Sequence, residues 1–93
     1  MKAKILNLEE ALQMYDLISK FLPTEPTTQI KAIYAMVTKM GKDNYFKCLE
    51  LLTGEDEQTL VEAGQEERLS VFLNGFQENK LFELPRLQVI NGR

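Results

Sequence analysis

Apolar residues recur at helical spacing along this chain, and they cover more of each helix than a small core can bury. Over residues 8–22, Leu8, Ala11, Leu12, Tyr15, Ile18 and Leu22 form one stripe, which Met14, Leu17 and Phe21 widen. Over residues 30–40, Ile30, Ile33, Tyr34 and Val37 form a second stripe. Ala32, Ala35, Met36 and Met40 extend it until mainly Lys31, Thr38 and Lys39 remain polar. A helix on a globular protein normally shows an apolar stripe a little over ~100° wide and keeps its other face charged. The pattern therefore predicts helices with apolar side chains left over for a partner.

With 93 residues the chain is expected to be a single helical domain spanning 1–93. At this size folding buries only somewhat more than ~60% of the unfolded surface. A composition of 44% hydrophobic and 27% charged residues is that of a folding domain, not a disordered one. Cys48 is the only cysteine, so no internal disulfide can form, which fits a reducing compartment. Lys2 and Lys4 precede an apolar run that Asn7, Glu9 and Glu10 interrupt, unlike the uncharged centre of a signal peptide. No stretch approaches the ~18 consecutive apolar residues of a membrane span. The expectation is a cytoplasmic protein with no membrane contact.

Local signals place the helices. Asn7 with Glu10 reads as a capping box, and Pro23 stops the first helix by Leu22. Pro26 or Thr27 opens a second helix that Gly41 ends. Asp43 is placed to cap a third helix, closed by Gly54. Glu55, Asp56 and Glu57 read as the acidic first turn of a fourth, ending near Gly64. A fifth begins around Gln65 with Leu69, Phe72, Leu73 and Phe76 on one stripe, and Asn79 is positioned to cap a last one containing Leu81, Phe82 and Leu84. Ile5 and Leu6 read as a short extended lead-in, and Leu87 to Ile90 carries no clear signal. No period-two alternation marks a sheet, so an all-α bundle of about five to six short helices is expected.

Catalytic parts are scarce. The chain has no histidine, which removes the commonest base near neutral pH and the usual zinc ligands. The pairs Glu9 with Glu10 and Glu66 with Glu67, like the run Glu55 to Glu57, stand at helix starts, where the dipole accounts for them. Residues 54–59 lack the alternating oxygen ligands of a calcium loop. Cys48 lies on an apolar flank without a histidine partner and reads as a buried thiol. No cofactor or metal is implied. A helix starting at Asp43 would offer Asp43, Asn44, Lys47 and Glu50 to DNA, without the arginine or the net positive charge that nucleic acid requires. Charge is nonetheless uneven: residues 1–47 carry seven lysines against five acids, and residues 48–93 nine acids against four basic residues. That polarity admits head-to-tail self-association as well as an ordinary solvated surface.

The run Phe46-Lys47-Cys48-Leu49-Glu50-Leu51-Leu52-Thr53-Gly54-Glu55-Asp56-Glu57-Gln58-Thr59-Leu60 joins a leucine-rich helix to a glycine and an acidic turn. Phe72-Leu73-Asn74-Gly75-Phe76-Gln77-Glu78-Asn79-Lys80-Leu81-Phe82-Glu83-Leu84 follows with a helix, an asparagine turn and further apolar residues. Together these segments resemble the small tail assembly chaperones of long-tailed bacteriophages. The resemblance covers residues 46–84 and does not extend to the N-terminal half. It implies a noncatalytic protein of the host cytoplasm, self-associating, that covers the apolar helices of the tail tape measure protein and contacts the tail tube protein. The alternative is a small helical adaptor or regulator unrelated to tails.

On either reading the candidate partner-binding residues are Met14, Leu17, Phe21, Met36, Met40, Phe72, Phe76 and Phe82. Met36 and Met40 lie one turn apart and are adaptable enough for an interface or for irregular core gaps. The three phenylalanines suit a core or an aromatic anchor. Gly75 is read either as a point of close helix approach or as a weak spot in its helix.

Overall fold

Asn7 and Glu10 form the expected capping box: Asn7 Oδ1 accepts the Glu10 N–H at 2.8 Å, and Glu10 Oε1 accepts the Asn7 N–H at 3.1 Å. The computed structural model describes residues 1–23 and 25–83 and places helix α1, Leu8–Ile18, directly after this box. One 3-10 turn, Ser19–Phe21, leads to Pro23. Helix α2, Gln29–Thr53, starts slightly later than the prolines predict, because the Thr28 hydroxyl caps it by accepting the Lys31 N–H at 3.3 Å. Gly54 closes it in the left-handed region. Helices α3, Glu57–Ala63, and α4, Gln65–Glu78, follow, with Asp56 capping α3 through the Thr59 N–H.

The described residues thus form an all-α fold of four helices, not five or six. Gly41 accounts for one difference. Its φ of +78° with ψ of 173° turns the chain within a single residue, so the two helices expected around it run on as α2 with a break. That conformation is essentially open to glycine alone. The segment after the break starts directly at Gly41, so Asp43 lies within its first turn and does not cap it. After Asn79 the chain forms only a 3-10 turn, Leu81–Glu83, because Lys80 takes a positive φ of 55° and stops α-helical continuation. Leu84 and the segment Leu87 to Ile90 lie outside the described residues.

Aromatic stacking organises the core. Tyr45 of α2 meets Phe72 of α4 edge-on at 5.1 Å between ring centres, Phe72 meets Phe76 at 4.9 Å, and Phe76 meets Phe82 at 5.2 Å. Gly75 lets α4 approach α2 closely: a Cβ added there would sit 2.8 Å from both methyl carbons of Leu52, which is fully buried. Close helix approach, not a weakened helix, is the role of this glycine.

Residues 1–6 run beside α4 as an extended strap. The Met1 amine pairs with Glu67 at 3.0 Å, and the Lys4 N–H donates to the Leu52 carbonyl at 2.8 Å. Asn79 fastens the far end: its Oδ1 accepts the Leu6 N–H at 2.8 Å while its Nδ2 donates to the carbonyls of Lys4 and Gly75. Five steps of extended chain span roughly 17 Å, and the twelve steps from Glu67 to Asn79 rise about 18 Å, so strap and helix match in length. Asn79 works as this clamp and, among the described residues, starts no further α-helix.

The strap also sets the rotation of α1. With Leu6 buried and pinned to Asn79, α1 turns Met14 and Ile18 inward. Leu8 and Leu12, expected on the inner stripe, are 78% and 58% exposed.

Candidate helix-binding groove

Most of the residues expected to meet a partner are inside. Met14, Met36, Phe72 and Phe76 are fully buried, and Met40 and Phe82 are nearly so. Of the two readings held for Met36, Met40 and the three phenylalanines, burial agrees with the core, and Met14 lies inside with them: the phenylalanines are committed to the stacked row, and the unbranched methionines fill the interior. Leu17 and Phe21 are half-buried and pack against that same core. Leu17 also lines an open hollow with Leu51, ringed by the mixed charges of Lys4, Glu10, Asp16, Lys47 and Glu50. The eight residues therefore do not form one surface.

Apolar excess is present all the same, at other positions. Ile5, Leu8 and Leu12 are exposed along the strap and α1, and Ile30, Tyr34 and Val61 along the α2, α3 and α4 side. Ile30 and Tyr34 of the second set line a depression. Gln77 Nε2 donates to Gln29 Oε1 at 2.9 Å, which holds the end of α4 against the start of α2, so the part of α2 before Gly41 runs antiparallel to α4 from there. Ile30, Ile33 and Tyr34 on α2 face Glu66, Leu69, Ser70 and Leu73 on α4 across a groove of about 280 Å³. Ile30 and Tyr34 are 51% and 55% exposed, so the walls of this groove are open apolar surface. The strap fills one flank of α4. On the other flank the groove is open.

The break at Gly41 shapes its far end. There Val37, Gly41, Lys42, Tyr45 and Phe46 of α2 meet Val61 of α3 and Gln65, Arg68 and Leu69 of α4 around a cleft of about 360 Å³, which shares Leu69 with the groove. Two cations converge on one ring, with Lys42 Nζ 5.6 Å and Arg68 Cζ 5.3 Å from the centre of Phe46. Arg68 Nη1 also donates to the carbonyls of Leu60 and Val61, at 2.7 and 3.3 Å, holding the last turn of α3. The Tyr45 hydroxyl and Arg68 Nε are buried without a hydrogen-bond partner. Burial pushes the Tyr45 phenol up to about 12, against the pull of the nearby Arg68 charge.

Cys48 is not presented as a nucleophile. Burial pushes the Cys48 thiol up to about 12, so it is neutral and enclosed at physiological pH. Glu10 is held below its ordinary range by Lys4 and the Asn7 N–H, and Asp56 by Thr59; both belong to helix starts and their bonds are already made. Among the described residues no three metal-binding side chains cluster, and no helix is long and apolar enough to cross a membrane. The groove is an open apolar channel with a cationic end. The sequence signal for Ile30 and Tyr34 was their place on the second stripe, which gave their helix but not which way it faces. No known family model, curated protein or solved structure matches this chain.

Proposed function

We propose that the chain is a noncatalytic binding protein that shields an apolar helix of another protein in the groove between α2 and α4. One observation carries this reading: Ile30 and Tyr34 stand half-exposed opposite Leu69 and Leu73, although the core beneath them is already closed. Burying apolar area at ~25 cal/mol per Å² favours filling such a channel, and a helix presenting residues at i, i+3, i+4 and i+7 has the matching shape. With the resemblance of residues 46–60 and 72–84, the client is the tape measure protein of a phage tail, held in the host cytoplasm before the tube protein assembles around it. Leu8 and Leu12 on α1 supply a second apolar row for self-association.

Coexpression with a long apolar helical tape measure fragment tests the reading. The fragment is expected to stay soluble and copurify, and Ile30→Ser with Tyr34→Ser to weaken capture about tenfold or more while circular dichroism stays helical. An equally retentive double variant would refute the groove. Equal capture of unrelated apolar helices would favour the adaptor reading.

A further inference from the structure

We infer that the cleft formed by Lys42, Tyr45 and Arg68 receives a carboxylate, the side chain of a glutamate or aspartate on the helix that lies in the α2–α4 groove. This rests on the helix-binding reading and adds to it a rule of selection. Three observations converge. First, the residues lining the cleft include two cations and no acid, in a chain whose net charge is −3. Among the described residues neither Lys42 nor Arg68 has a carboxylate partner, since the ion pairs there join Met1 to Glu67 and Lys4 to Glu10.

Second, two buried polar atoms at the cleft lack hydrogen-bond partners. Tyr45 is only 7% exposed, its hydroxyl is unbonded, and Arg68 Nε is a donor in the same condition. Buried polar groups are nearly always bonded, so an orphaned pair just beneath the cleft wall calls for an acceptor, which meets them when the Tyr45 and Arg68 side chains turn toward it. A carboxylate is acceptor-only and takes charge-assisted bonds from a guanidinium edge, a phenol and an ammonium together. Third, the cleft continues the groove through Leu69, so a helix whose apolar face lies against Ile30, Tyr34 and Leu73 brings its next turn to the cations. The two cations already stacked at Phe46 are thereby neutralised from outside.

Two peptides differing at one side chain test this with the intact chain. Each is an alanine and glutamine helix with leucines at i, i+4, i+7 and i+11, amidated at its C-terminus, carrying Glu or Gln at successive positions of the turn beyond either end. At the best position the Glu peptide is expected to bind about tenfold more tightly than its Gln twin, with the difference shrinking as salt rises. Tyr45→Phe deletes only an unbonded hydroxyl and Lys42→Met an exposed ammonium, so both variants keep their helicity. Each is expected to lose most of the Glu preference while binding the Gln peptide as the parent does. Equal binding of Glu and Gln peptides at every position overturns the inference and leaves the groove reading intact; so does a preference that Tyr45→Phe and Lys42→Met both retain. Binding of neither peptide overturns both readings. A preference that appears only when the C-terminus is left free assigns the cleft to a chain terminus and overturns the side-chain assignment.

Discussion

Phe72→Ala is expected to cost about 3–5 kcal/mol of folding stability. Phe72 is fully buried and central to the aromatic row, touching Tyr45 on one side and Phe76 on the other. Truncation removes the ring's transfer free energy, leaves a cavity and dissolves two aromatic contacts worth about 0.5–1.5 kcal/mol each beyond their area. A domain of this size has roughly 5–15 kcal/mol in total, so the variant is brought close to its unfolding threshold. Urea titration followed by circular dichroism reads this as a large fall in midpoint at unchanged slope. Tyr34→Ala, on the open groove, is the control and should stay within about 0.5 kcal/mol of the parent. Comparable losses for the two would mean that Phe72 is not in the core.

Gly75→Ala tests the closest helix contact, and its sign is expected to depend on Leu52. Alanine is the better helix former by about 0.8–1.0 kcal/mol, so a free position would gain from the change. Here the new methyl would meet both Leu52 methyl carbons at 2.8 Å, and Leu52 is enclosed on every side. Overpacking of this kind costs about 1–3 kcal/mol, so Gly75→Ala alone should destabilise. Leu52→Ala alone should cost about 2–5 kcal/mol through its cavity. In the double variant the added methyl enters the space that Leu52 vacates, and Gly75→Ala then becomes neutral or stabilising. A double-mutant cycle in urea measures this coupling. Additive effects would mean that α4 and α2 do not meet at Gly75.

Much of the helical framework is legible from local chemistry. The Asn7 capping box, the stop before Pro23, the Gly54 cap and the Asp56 start of α3 each depend on residues within one turn, and a sequence displays those directly. Gly41 is legible as the stop of a helix, but not the absence of a loop after it, because joining two helices directly depends on what they pack against. Rotation of α1 is harder still. Its two overlapping stripes, through Leu8 and Leu12 or through Met14 and Ile18, satisfy the same helical period. The choice is made by a clamp between Leu6 and Asn79, 73 residues apart. That is why α1 carries its surplus at Leu8 and Leu12 while Met14, named for it, lies inside. The groove and its cationic end combine α2, α3 and α4, so no single segment announces them.

Methyl NMR of the isolated chain in the presence of a neutral, soluble paramagnetic agent addresses the division between filled core and open groove most directly. Signals from Ile30, Leu8 and Leu12 should broaden steeply with added agent, while those of Met14, Met36, Ile18 and Leu49 stay sharp. Broad Met14 and Met36 signals beside a protected Ile30 would contradict the account, placing the surplus on the face here assigned to the core and leaving the α2–α4 channel without an apolar floor.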